Sequence, residues 1–352
     1  MTTFKSRWIK KKKKNQTIVI WFPGLNDTYS HDEQIENGLF EDCNLYLMHP
    51  SDYHPKENEN DNPHLAENMK EYFSYLNFDI NNDLLPYKNC KWIIYSHSTG
   101  SLLAIRYLQC GKYRNFFDGL ILDDPFLTTK GFLNNIVFSF PFYVPLCWKI
   151  SNFLIKFNKK CQLASSKESK IKKIYHTQGY SLSTKGINDY SAFVLACHIE
   201  QYEIYNNNCQ KKYLLNNLPC YVLLAKDKNT VLDYEKNKKY CSYISKNLQF
   251  LDVKSVHQCI RPSNKQFGQL FANINTFVKS IKSKKLKKIL EERNNFQKKD
   301  NQTLIFPSIC FHLFLFTMMY YFKRLTFPLL HRLFLLLWRF YSRTINKRRL
   351  AI

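Results

Sequence analysis

Lys91-Trp92-Ile93-Ile94-Tyr95-Ser96-His97-Ser98-Thr99-Gly100-Ser101-Leu102-Leu103-Ala104 is the stretch that decides the fold. Lys91 to Tyr95 is a short run rich in β-branched and aromatic residues, and reads as a buried strand. Ser98 to Leu108 carries its apolar residues at helical spacing. Between them, Ser96-His97-Ser98-Thr99-Gly100 has the form of a nucleophile elbow, G-x-S-x-G, with Ser96 in place of the first glycine. Such a turn needs small residues two before and two after its serine. It lifts the hydroxyl above the sheet edge and aims the next backbone N–H, that of Thr99, at a developing oxyanion.

Outward from this point the chain alternates. Thr17 to Phe22 reads as a strand ending at the turn Pro23-Gly24-Leu25-Asn26-Asp27. Asn44 to Met48 reads as a strand and Leu65 to Leu76 as a helix; Gly119 to Leu122 follows as a further strand. The alternation stops from about 128 to 216 and resumes with strands at 220–225 and 248–253 and a helix over 264–281. This pattern predicts βαβ units, a mostly parallel sheet with helices on both faces, and a helical cap insert. The expected divisions are a basic N-terminal tail (1–16), a first core part (17–127), the cap (128–216), a second core part (217–281), a charged linker helix (282–300) and a hydrophobic, basic tail (301–352).

An elbow of this kind takes its partners in the chain order serine, acid, histidine. His257, in Lys254-Ser255-Val256-His257-Gln258-Cys259, directly follows the last predicted core strand and fits the base. His49, His54, His64, His176 and His198 fit worse, because they lie before the acid or in the insert. The acid stays open between Asp227 and Asp233, both just beyond the strand 221–225. The second oxyanion donor is expected from the loop after the first strand, where Leu25 N–H is the candidate.

Six short motifs carry a resemblance. They are Pro23-Gly24-Leu25-Asn26-Asp27, Asn68-Met69-Lys70-Glu71-Tyr72-Phe73, Ser96-His97-Ser98-Thr99-Gly100-Ser101, Leu122-Asp123-Asp124-Pro125-Phe126, Asn229-Thr230-Val231-Leu232-Asp233 and Val256-His257-Gln258. In this order, residues 17–280 resemble α/β-hydrolases of the serine aminopeptidase and monoacylglycerol lipase or lysophospholipase group. The matching family motifs are H-G-F-N-D-Y, D-L-x-E-Y-F, G-H-S-T-G-G, L-N-S-P-F, D-T-V-L-D and L-H-D. The resemblance implies an α/β-hydrolase core, Ser98 as nucleophile, His257 as base, and Leu25 and Thr99 as oxyanion donors. It also implies a lipid or other acyl ester as substrate and no cofactor or metal. The departures are Pro23 for histidine, Ser96 and Ser101 for glycines, and Asn229 where the acid would stand. Asp233 then matches the motif's second aspartate, with Asp227 as a substitute from upstream. These departures motivate an alternative, a membrane-tethered binding protein on an inactive hydrolase scaffold.

Charge points away from nucleic acid. The 352 residues carry a net charge of +24, of which residues 1–14 and 281–352 hold +20, leaving the body close to neutral. A nucleic-acid-binding domain carries its basic residues on the folded body, and here the tail aromatics cluster in apolar runs, apart from the lysines. The eleven cysteines show no C-x-x-C pair and no disulfide framework, which suits a reducing compartment. No signal-peptide h-region flanks the first lysines, so a cytoplasmic body is expected.

Residues 301–322 contain no formal charge, flanked by Lys298-Lys299 and Lys323-Arg324, with Tyr320 and Tyr321 at an interfacial position. About twenty such residues span a bilayer core. Leu325 to Trp338 is apolar but carries His331 and Arg332, and with Arg339 and Arg343 reads as an in-plane amphipathic helix. Membrane attachment through residues 301–352 is therefore expected. In the insert, Gly131 to Trp148 is uncharged and aromatic-rich but broken by Pro141 and Pro145, which suits cap helices over an acyl-binding site.

Overall fold

Strand β2 (Thr17–Phe22) shows how the sheet is built. Ile18, Ile20 and Phe22 enter one hydrophobic core, while Val19 and Trp21 enter another. A strand apolar on both faces has to be covered on both, which is the condition of a parallel sheet between helical layers. The computed structural model describes residues 6–12, 16–24, 31–48, 69–128, 213–227, 232–263 and 265–283, with short stretches between 162 and 204. The chain divides into a unit Met1–Asp300 and a unit Asn301–Ile352, and all described residues belong to the first.

The main sheet comprises β1 (Arg7–Lys10), β2, β3 (Asn44–Leu47), β4 (Lys91–His97), β5 (Phe117–Asp123), β8 (Cys220–Ala225) and β9 (Leu248–Val253), in the order β1-β3-β2-β4-β5-β8-β9. All neighbours run parallel except β1, which is antiparallel to β3. Helices α2 (Phe73–Asp79), α3 (Gly100–Cys110) and α4 (Tyr234–Cys241) send Leu76, Leu102, Tyr107 and Tyr240 into the first core. On the opposite face, α5 (Phe267–Ser280) buries Leu270, Phe271, Ile274 and Phe277 in the second core. Their spacing of three and four is that of a one-sided helix, and each side chain of this size contributes roughly 1.5–3 kcal/mol on burial. The short helix α1 (Asp32–Glu36) precedes β3.

Three elements differ from the sequence reading. The basic stretch expected as a tail over 1–16 contains the edge strand β1. Trp8 anchors it, with ring centroids 5.2 Å from Tyr46 and 5.3 Å from Tyr87, and Lys10 Nζ donates to the carbonyls of Phe40 and Glu41 at 3.3 and 2.5 Å. Its charge suits an edge strand, which has one unpaired side to protect. The helix expected over 65–76 becomes, within the described residues, a 3-10 turn at Met69–Tyr72, then α2, then a π turn at Ile80–Leu84. The insert expected to be helical contains an antiparallel pair, β6 (Gln162–Ser165) with β7 (Asn188–Tyr190), beside helical residues such as Glu200 and Gln201. Most of the insert lies outside the described residues, as do all of 301–352. Among the described residues no helix is long and apolar enough to cross a membrane.

Candidate active site

Strand β4 runs into the elbow with little slack. Ser98, the first residue beyond the strand, sits at φ +50°, a left-handed conformation that costs a non-glycine residue on the order of 1–2 kcal/mol. Neighbouring segments hold it there: Ser98 N–H donates to Asp123 O at 3.1 Å, and Ser98 O accepts from Phe126 N–H at 3.0 Å. Gly100 presses the turn against β2. A Cβ at that position would lie 2.3 Å from Pro23 O and 2.7 Å from Phe22 O, so only glycine fits. The serines that replace glycines are absorbed. Ser101 Oγ donates to Ser96 O at 3.3 Å, and Ser96 Oγ lies 3.2 Å from Ser101 Oγ, with both residues fully buried.

Around the Ser98 hydroxyl the geometry is specific. His257 Nε2 lies 2.9 Å from Ser98 Oγ, and His257 Nδ1 lies 2.6 Å from Asp124 Oδ2. With Nδ1–H donating to that carboxylate, Nε2 is left as the acceptor for the Ser98 hydroxyl proton. Asp124 is the first residue after β5 and also has a left-handed φ, +41°. Its Oδ1 accepts from Ala225 N–H at 3.2 Å, and its own N–H donates to Leu223 O at 2.9 Å, so β8 fixes both ends of the residue. All three side chains are buried: Ser98 is 6%, His257 7% and Asp124 2% exposed. The His97 ring packs at 4.8 Å from that of His257.

Thr99, the residue just before α3, has no acceptor for its backbone N–H among the described residues, as an oxyanion donor requires. Burial pushes the Cys241 and Cys259 thiols well above their ordinary 9.0, with the charge of Asp124 adding to the effect at Cys241 and that of Asp123 at Cys259, which disfavours the reactive thiolate at both. Burial also pushes the adjacent Asp123 carboxyl above its ordinary 3.8, against the opposing pull of His97, the Tyr95 hydroxyl and the Cys259 amide. Among the described residues no cluster of His, Cys, Asp or Glu is arranged to hold a metal ion.

No protein-family model matches the sequence, and no curated protein does either. Solved structures do. A soluble variant of monoglyceride lipase from Saccharomyces cerevisiae, in complex with a substrate analog, aligns at a TM-score of 0.53 and 14% identity, covering 79% of this chain and 92% of its own. DcsB, in complex with its substrate analogue, aligns at 0.54 and 13%, covering 78% and 94%. A chain from the work on LipS and LipT, two metagenome-derived lipolytic enzymes, aligns at 0.51 and 9%, covering 79% and 98%. The chain has the α/β-hydrolase fold.

In this α/β-hydrolase fold the carboxylate against His257 is that of Asp124, and neither expected acid takes the place. Asp233 caps α4: its Oδ1 accepts from Lys236 N–H at 3.1 Å, and Lys236 Nζ lies 3.8 Å from Oδ2. Asp227 follows β8 and ties its backbone N–H to Ser255 O at 3.0 Å, with no bond from its side chain to His257. Leu25 and Asn229 lie outside the described residues. The carboxylate that meets His257 left a trace in the sequence. Where the family motif reads L-N-S-P-F, this chain has Leu122-Asp123-Asp124-Pro125-Phe126, with two carboxyls in place of neutral residues at the end of a core strand. The chain order serine, acid, histidine is satisfied by Asp124 as well as by the later aspartates.

Proposed function

We propose that this α/β-hydrolase-fold protein is a serine hydrolase of carboxylic esters. The observation that carries the reading is the continuous relay from Ser98 Oγ through His257 to Asp124, at 2.9 and 2.6 Å. In the proposed reaction, Ser98 Oγ attacks the ester carbonyl carbon while His257 Nε2 takes its proton. Asp124 holds the imidazole in the reactive tautomer and stabilises the imidazolium. The tetrahedral oxyanion accepts from Thr99 N–H and, as the resemblance implies, from Leu25 N–H. Collapse expels the alcohol, protonated by Nε2–H, and leaves an acyl-Ser98. Water, deprotonated by the same nitrogen, then releases the acid.

For the substrate we propose a monoacylglycerol or lysophospholipid. The apolar run Gly131–Trp148 in the cap, the apolar stretch 301–322 and the likeness to a monoglyceride lipase support this choice. We further propose that residues 301–352 attach the enzyme to a membrane with a cytoplasmic body. Two of the departures behind the inactive-scaffold alternative are answered in favour of the enzyme reading: Asp124 bonds the histidine where Asn229 offers no carboxylate, and Ser96 and Ser101 fit the turn. Labelling with a fluorophosphonate probe tests the enzyme reading, with wild type beside Ser98→Ala. Labelling of the wild type alone is expected, and a folded wild type that resists the probe overturns it. Hydrolysis of monoacylglycerol against lysophosphatidylcholine then separates the two substrates.

A further inference from the structure

Two adjacent carboxyls stand where β5 ends, Asp123 as its last residue and Asp124 just beyond it, and they face different tasks. Asp124 meets the His257 ring, whereas Asp123 is fully buried and bonds the backbone just beyond it. Asp123 Oδ1 accepts from Cys259 N–H at 2.7 Å, and Oδ2 accepts from Ile260 N–H at 3.4 Å and from the Tyr95 hydroxyl on β4. One carboxyl therefore joins two central strands to the loop that carries His257.

That loop has a distance to cover. It leaves β9, and β8 lies between β9 and β5, so at ~4.8 Å per strand it must reach about 10 Å back across the sheet edge. Its internal bonds, Ser255 Oγ to the carbonyls of Gln258 and Arg261 at 2.9 and 3.2 Å, fix its shape but not how far it reaches. Burying a carboxyl is costly unless its oxygens are hydrogen-bonded, and here three donors meet them. The charged and titratable groups around it are His97 and Tyr95 from β4 and Cys259 from the loop itself.

We propose that Asp123 is a positioning residue, which holds the Cys259 and Ile260 amides and so sets the His257 ring within reach of both Ser98 and Asp124. Its kinetic consequence rests on the serine-hydrolase reading; its structural consequence does not.

The test compares full-length wild type, Asp123→Ala and Asp123→Asn in two measurements. One is the rate of fluorophosphonate labelling. The other is the low-field proton resonance of His257 Nδ1–H, identified by its loss in His257→Gln. Asparagine keeps an oxygen for Cys259 N–H and an amide that can donate to Tyr95, and gives up only the longer bond from Ile260 N–H at 3.4 Å, so it should retain the resonance and label within about tenfold of wild type. Alanine keeps neither. A ring displaced by about 1 Å costs on the order of 10²-fold, so Asp123→Ala should label that much more slowly and lose the resonance while staying folded. A folded Asp123→Ala that keeps both resonance and labelling rate overturns the proposal. Asp123→Leu fills the space without an acceptor and replaces alanine if that variant does not fold. Failure of both to fold would make Asp123 a residue of the fold alone, which also overturns it. If the wild type shows the resonance but is not labelled, the hydrolase reading fails, while the resonance in the variants still decides the positioning role.

Discussion

Asp124→Asn should nearly abolish ester cleavage while leaving the fold intact, and the reason lies in how the carboxylate is shared. Oδ1 accepts from Ala225 N–H at 3.2 Å and Oδ2 from His257 Nδ1–H at 2.6 Å. An asparagine whose oxygen answers Ala225 turns its NH₂ toward Nδ1. The imidazole then accepts at Nδ1 and carries its proton on Nε2, where the Ser98 proton has to go. The opposite flip sets NH₂ against Ala225 N–H, donor against donor, in a site 2% exposed. In serine proteases the same change costs on the order of 10⁴ in kcat, equivalent to roughly 5–6 kcal/mol of transition-state stabilisation. We expect a loss of that order for Asp124→Asn, measured as the stopped-flow acylation rate on a soluble p-nitrophenyl ester. Asp227→Asn should stay within a few-fold of wild type. So should Asp233→Asn, because asparagine caps a helix about as well as aspartate. If Asp124→Asn reacts within tenfold of wild type, or either other variant is the more damaging, the assignment of the acid is wrong.

Two further outcomes rest on particular contacts, and a third on the sequence of the tail. Gly100→Ala should destabilise the protein by the upper end of the roughly 1–3 kcal/mol typical of overpacking, because its methyl meets the Pro23 carbonyl at 2.3 Å and backbone cannot rotate away; thermal melting reads this. Asp123 supplies a pH dependence. Its carboxyl is pushed up by burial, so folding favours the protonated form more than the unfolded chain does, and the stability it contributes is complete below 3.8 and declines as pH rises through the raised value. Asparagine does not titrate, so the Tm of Asp123→Asn should gain on that of wild type as pH rises from about 4 to about 8; a Tm difference constant with pH would show that the carboxyl is not perturbed. The tail prediction is read by alkaline carbonate: the full chain should stay with the membrane and a 1–290 truncation should be released yet still cleave a soluble ester. Release of the full chain would limit residues 301–352 to peripheral contact.

Much of this architecture is written in local pattern. The double-sided apolar strands at 17–22, 91–95 and 220–225 require cover on both faces, and that alone implies a parallel sheet between helices. The elbow is equally local: a small-x-Ser-x-Gly turn between a strand and a helix declares Ser98, and a histidine just beyond the last strand declares His257. The structure brings these two side chains to 2.9 Å. The carboxylate that bonds His257 could not be read in the same way. Asp124, Asp227 and Asp233 all follow core strands and all precede the histidine. What separates them is that β5 lies directly between β4 and β8. Strand order is a long-range property, set by which faces bury best together, and leaves no period in the sequence. The same holds for β1, whose lysines read as a tail until Trp8 finds Tyr46 and Tyr87. Residue types and spacing singled out Ser98, His257 and the kind of sheet; which carboxylate meets His257 was decided by tertiary structure, because hydrogen bonds select partners by distance and direction in space.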